Sequence, residues 1–346
     1  MSAAGNAPAS GERGGRAAVI RSRSVSISGV AVAALALTAV LLPVLAMTVV
    51  VDLLRAKPRL PLARMVLFGF CWAWLELAGV TAAGLLWLAG RRRDVLVHQR
   101  LQAWWAGRLM AALRVTCGLR VDLDGVEALV PGPVIMLVRH ASLADSLLSA
   151  WVVLEAGMWP RVVMKKELLV DPCLDIVGHR LPNCFVDRQA TDSAPELAAI
   201  AAMGTGLGAH DVAVIFPEGT RVNPAKRARA LTKIGGVDPS RSERLSGLRH
   251  LLPPRPAGTQ ALLDAVPDAD VVVGWHVGFE GLDTFGGIIA RLGRPVTPVR
   301  ICLRRVGRDS VPQGEGFAAW LDGTWLEVDD AVDALLGDAR GPARGR

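Results

Sequence analysis

Val138–Leu148 reads VRHASLADSLL, a histidine and an aspartate separated by four residues at the junction of two apolar runs. Pro133–Val138 (PVIMLV) is continuously apolar, as a strand buried on both faces should be. Leu143–Glu155 is long and apolar enough for a helix. His140 then falls in the turn at a strand's carboxyl edge, where open α/β sheets place their ligand sites. Asp145 falls in the first helical turn, and side chains there lean back toward the helix start, which brings the carboxylate to the imidazole. An imidazole held in one tautomer can take a proton from a substrate hydroxyl. Ser142, three residues before Asp145, also fits a helix-capping pattern, so a purely structural turn is the competing reading of this stretch.

A second strand-to-turn junction follows at Phe216–Arg221, FPEGTR, directly after the apolar run Val212–Ile215. Gly219 lets backbone approach a ligand closely, while the Thr220 hydroxyl and free N–H groups can donate. Arg221 offers a planar fork that grips phosphate with two hydrogen bonds. The hexapeptide therefore reads as an anion seat, although an ordinary turn would need only its proline and glycine.

Taken together in this order, the two motifs resemble the glycerolipid acyltransferase superfamily, enzymes that acylate glycerol phosphate and lysophospholipids. The resemblance runs from Val121 to Asp330. MKKELL at Met164–Leu169 and NCFVDR at Asn183–Arg188 resemble the intermediate blocks of that family. RHLLPPRPAGTQALL at Arg249–Leu263 and LRRVGRDSVPQGEGFAAWL at Leu303–Leu321 resemble the branch with 1-acylglycerol-3-phosphate and lysocardiolipin acyltransferases.

The resemblance implies acyl transfer from a thioester, acyl-CoA or acyl carrier protein, to a lysophospholipid hydroxyl. In that reaction His140 is the base and Asp145 its orienter. The hydroxyl attacks the thioester directly, so no acyl-enzyme, catalytic cysteine, cofactor or metal is implied. Arg188, Glu218, Gly219, Thr220 and Arg221 are the candidates for the acceptor phosphate, with Glu218 also able to fix the turn or the arginine fork. Lys165 and Lys166 read more simply as a solvated helix start, Ser142 as a cap and Cys184 as a small buried thiol. The acceptor implied is 1-acylglycerol-3-phosphate, with lysocardiolipin or lysophosphatidylinositol as alternatives. A noncatalytic lipid-binding scaffold is the rival from another class.

Two positions depart from the family pattern. Arg139 stands where a small polar residue is common, and its charge would lower the basicity of His140 unless it faces away or pairs with lipid phosphate. Pro182 stands where the third block usually has glycine.

Upstream, the 346-residue chain is 51% apolar, and the excess is concentrated near the N-terminus. Residues 1–23, rich in Ala, Gly, Ser and Arg, read as a disordered basic tail. Ser24–Val51 contains no charged residue. Its 28 residues would span about 42 Å as a helix, more than a bilayer core of about 30 Å requires. This is longer than a cleaved signal's apolar region, so residues 24–90 are expected to be a retained anchor of two apolar helices, with a kink at Pro43. The second run, Met65–Gly90, carries Glu76, Trp72, Trp74 and Trp87, and either spans or lies partly embedded.

Basic residues crowd both the connector (Arg55, Lys57, Arg59, Arg64) and the segment after the second run (Arg91, Arg92, Arg93), so the charge rule leaves the topology open. The catalytic domain is expected on the cytoplasmic face. Residues 91–117 read as a basic amphipathic linker helix with Trp104 and Trp105, lying on anionic lipid or packed inward.

From residue 118 to 334 apolar runs alternate with helix-like segments. That rhythm predicts an α/β domain, a mixed sheet flanked by helices, and residues 335–346 read as a second disordered tail. The net charge of +7 invites a nucleic-acid partner, but no recognition motif accompanies it, and anionic lipid accounts for it more simply. Five cysteines without C-x-x-C or metal spacing predict reduced thiols facing the cytoplasm and no metal site.

Overall fold

The computed structural model describes residues 10–187, 193–280, 282, 284–295 and 297–338. Three long helices come first: α1 (Ser10–Leu54), α2 (Pro61–Leu88) and α3 (Val95–Cys117). The domain then runs β1 (Val121–Asp124), β2 (Val134–Val138), α4 (Asp145–Glu155), β3 (Trp159–Lys165), α5 (Pro172–Gly178), β4 (Cys184–Val186), α6 (Ala194–Gly204) and β5 (Asp211–Ile215). It continues with α7 (Pro224–Gly235), α8 (Pro239–Leu245), α9 (Pro256–Ala265), β6 (Asp270–Val277), α10 (Phe285–Leu292), β7 (Val299–Val306) and α11 (Gly316–Asp338).

The strands form one seven-stranded sheet in the order β1-β7-β6-β2-β5-β3-β4. β6 and β7 run antiparallel, and the remaining pairs are parallel, so the mixed α/β sheet is the one the apolar runs predict. Central strands of such a sheet are covered on both faces and need apolar residues throughout. β2 meets that requirement, with all five residues buried. Alternate residues divide between two cores. Ile135, Leu137, Ala213 and Ile215 face α6, α9 and α11, where Trp325 is fully buried. Val134, Met136, Val138, Val214 and Phe216 face α3 and α4. Leu137 is in register with Ile215, which sets the turns after β2 and β5 side by side at the sheet's carboxyl edge.

The N-terminal tail departs from expectation. Instead of being disordered through residue 23, the chain is helical from Ser10, because Ala and Arg favour helix and Arg23 is anchored by two bonds to Asp175, at 2.7 and 3.0 Å. α1 continues through Pro43. At the other end α11 extends to Asp338, past the predicted boundary at 334, while residues 1–9 and 339–346 lie outside the described residues. The Lys-Lys-Glu run opens a short 3₁₀ turn, Lys166–Val170.

α1 and α2 are both long and apolar enough to cross a membrane. They form an antiparallel hairpin whose turn is closed by buried Asp52, its Oδ2 accepting the N–H groups of Leu62 and Ala63 at the start of α2. α2 is fastened to the domain near both ends. Arg64 donates to the carbonyls of Thr116 and Leu292, closing the C-termini of α3 and α10. Some 19 residues further on, Arg180 donates to the carbonyl of Ala83, and Val80 and Ala83 pack against Cys173 and Val177 of α5. The intervening helix, about 28 Å long, therefore lies along the domain and does not lead away from it.

Candidate active site

His140 is placed by three neighbours. Its backbone N–H donates to Glu218 Oε1 at 2.7 Å, its carbonyl accepts the N–H of Val222 at 2.9 Å, and its ring lies 4.6 Å from that of Phe216. All three belong to the FPEGTR turn or its next residue, so the two motifs share one edge of the sheet. Nδ1 of His140 stands 2.9 Å from Oδ2 of Asp145. An Nδ1–H donor there leaves Nε2 as the basic nitrogen.

Asp145 opens α4 and is fully buried. Oδ2 also accepts the N–H groups of Ala141 and Ser142 at 2.6 and 2.8 Å, and Oδ1 accepts the Ser142 hydroxyl. Burial pushes this carboxyl up, but the electrostatic pull of His276 and the hydrogen bond and charge of His140 outweigh it and hold the group below the ordinary carboxylate range. The residue capping the turn is thus Asp145 itself. Ser142 Oγ accepts the N–H of Ala144 while donating to the carboxylate, which commits the hydroxyl to the turn.

Of the residues assigned to phosphate, Gly219, Thr220 and Arg221 stand at the turn, partly exposed. Gly219 has φ +70°, a left-handed conformation that favours glycine. The ammonium of Lys226, which lies beyond the motif, donates to Thr220 Oγ1 and to the Arg221 carbonyl, both at 3.2 Å. Glu218 requires a correction. Its buried carboxylate turns inward to accept the N–H groups of His140 and Leu252 at 2.7 and 2.9 Å, tying three loops together and presenting no oxygen to a ligand. Burial pushes it up to about 8 against those two donors and the charge of Arg139. Arg188 lies outside the described residues.

Arg139 faces away from the imidazole. Its buried guanidinium donates to the carbonyl of His276 and lies 3.5 Å from Glu280 Oε1, so its charge is spent elsewhere. Cys184 is buried, and burial pushes its thiol up to about 11, far from a nucleophile's range. The sequence also gave no sign of His276. This buried side chain of β6 brings Nε2 to 3.2 Å from Asp145 Oδ1, off the hydrogen-bond axis, so the contact is chiefly electrostatic.

Next to this group lies an apolar cavity of about 370 Å³ between the hairpin and the domain. Met65, Phe68 and Trp72 of α2 form one wall, Leu109 and Leu113 of α3 another, and Leu143, Leu147 and Phe279 the end nearest His140. Its size falls within the usual range for small-molecule sites.

Residues 120–268 match the Acyltransferase family model. A search of curated proteins finds no match to the chain. Among solved structures, the 1-acyl-sn-glycerophosphate acyltransferase PlsC from Thermotoga maritima is similar at 17% identity and a TM-score of 0.43, over 79% of this chain and 97% of that one. The matched residues take in both motif turns, so this part of the chain is similar to acyltransferase domains.

Proposed function

We propose that the protein transfers a fatty acyl group from a thioester donor, acyl-CoA or acyl carrier protein, to the free hydroxyl of 1-acylglycerol-3-phosphate at a membrane surface. The observation that carries this reading is the His140–Asp145 pair, locked at 2.9 Å on the same sheet edge as FPEGTR. Nε2 of His140 accepts the hydroxyl proton as the oxygen attacks the thioester carbonyl. The carbon–sulfur bond then breaks, and the imidazolium returns its proton to the departing thiolate. Asp145 holds the ring and stabilises its charge. Arg221, with the Thr220 hydroxyl and the backbone at Gly219, grips the acceptor phosphate, and the apolar cavity takes a fatty chain.

The hairpin supports a location at the bilayer. A helix fastened to one domain at both ends cannot cross about 30 Å of hydrocarbon, so α1 and α2 lie in the membrane plane. Val32, Leu35, Leu42, Met47 and Leu54 of α1 and Trp87 and Leu88 of α2 face outward there. Leu143, three residues from His140, is also exposed, which opens the site toward the lipid. Five free cysteines fit a domain on the cytoplasmic side.

The test supplies radiolabelled acyl-CoA and a panel of lysophospholipids to membranes carrying the wild type or His140→Ala. Transfer to 1-acylglycerol-3-phosphate that is lost in the variant at equal protein level is the expected result. Preference for another lysolipid reassigns the acceptor, and no transfer to any acceptor by the wild type overturns the enzyme reading in favour of a scaffold.

A further inference from the structure

We propose that His276 is a positioning residue for this reaction: from β6 its Nε2 holds the far oxygen of Asp145, keeping the near oxygen on Nδ1 of His140. The inference rests on the acyl-transfer reading and adds to it a residue outside both motifs.

An ionised carboxylate has about four acceptor sites. Oδ2 of Asp145 is filled by His140 Nδ1 and two backbone N–H groups, whereas among the described residues Oδ1 accepts a hydrogen bond only from the Ser142 hydroxyl, a rotor. The imidazole of His276 stands over that second oxygen at 3.2 Å. A proton on Nε2 favours the ionised carboxylate whether the ring is neutral or charged.

The placement is costly for the fold alone. His276 is 2% exposed, neither ring nitrogen has a hydrogen-bond partner among the described residues, Nε2 making only its electrostatic contact with Asp145, and its register partner across β7 is Ile301. Burying an imidazole without partners is unfavourable, and Asp145 is the carboxylate that compensates it. The ring is oriented by Phe279, edge-on at 5.6 Å, and its backbone is tethered by the Arg139 guanidinium. Arg139, the departure from the family pattern, thereby acquires a role: it anchors the strand that carries His276. The charged groups around this ring are Asp145 from α4, His140 from the turn before it, Arg139 at the end of β2, Glu280 beyond β6, and Glu218 in the second turn.

The experiment uses the full chain in nanodiscs with His276→Leu, which removes the Nε2 donor, and His276→Gln, whose amide restores it. Turnover is measured against pH, and the titration of His140 is followed by NMR of ¹⁵N-histidine-labelled protein. In His276→Leu, kcat is expected to fall between about 10- and 10²-fold with KM for the acceptor unchanged. The acid limb of its pH profile moves downward, because the released carboxylate no longer sits on Nδ1 and supports the His140 proton less. His276→Gln restores both. Wild-type behaviour in His276→Leu overturns the proposal, as does equal impairment of the two variants with an unmoved limb, which marks mere packing. If even the wild type transfers no acyl group, the NMR titration decides. A His140 shift in the leucine variant alone preserves the positioning while the enzyme reading falls, and unchanged titration in both variants ends it.

Discussion

Glu218→Gln should remove a pH dependence from the stability of this domain. The Glu218 carboxyl lies under the two turns, pushed by burial from about 4.5 to about 8. Between those values the folded protein holds a proton that the unfolded chain has released. Stability is therefore fully present below the unfolded value and falls as pH rises through the folded one, by about 1.4 kcal/mol per pH unit. From about pH 5.5 to about pH 7.5 the loss amounts to ~2.5 kcal/mol, a large share of a typical domain's 5–15 kcal/mol. Glutamine cannot titrate; its amide oxygen accepts only one of the N–H groups of His140 and Leu252 and its NH2 faces the other, a cost that lowers the variant's curve equally at every pH and adds no slope. Urea unfolding followed by the fluorescence of buried Trp151 and Trp325, at several pH values, should give a wild-type curve that slopes and a variant curve that is flatter by that amount. Parallel curves would refute the reasoning. They would mean that the two backbone donors keep Glu218 ionised throughout, and that a fixed negative charge lies beneath the anion seat.

Asp145→Asn should lower kcat by about 10²- to 10⁴-fold with little change in KM, because the amide no longer fixes the His140 tautomer; steady-state kinetics checks it. Arg64→Ala removes the two carbonyl bonds joining α2 to α3 and α10. Limited proteolysis of the connector at residues 55–60 should then accelerate several-fold, while far-UV circular dichroism stays unchanged.

What could be read from the sequence follows from how local each feature is. β2 and β5 announce themselves as unbroken apolar runs, and both turns sit where those runs stop. The His140–Asp145 contact spans five residues of one strand–helix junction, so helix geometry alone predicts it. His276 lies 131 positions from Asp145 and reaches it only because β6 pairs with β2, a choice of strand order that periodicity does not encode. A motif gives residue types without directions, so the sequence groups Glu218 with the phosphate ligands. Its inward turn depends on Leu252, which arrives from a separate loop. The bearing of Arg139 is open in the sequence for the same reason, since its partners are the His276 carbonyl on β6 and Glu280 in the loop after it. Hydropathy identified two apolar helices, but only the contacts of Arg64 and Arg180 fix how α2 lies.

The way α2 is laid against the domain bears on any attempt to obtain a soluble fragment. Met65, Phe68 and Trp72 belong to the anchor in the sequence, yet they line the space beside the His140–Asp145 turn. Cutting the chain before residue 91 would therefore strip one side from this apolar slot and leave Leu109 and Leu113 facing water. Solubilisation by point changes on the outward face of α1, rather than by deletion, is the route that keeps the slot whole.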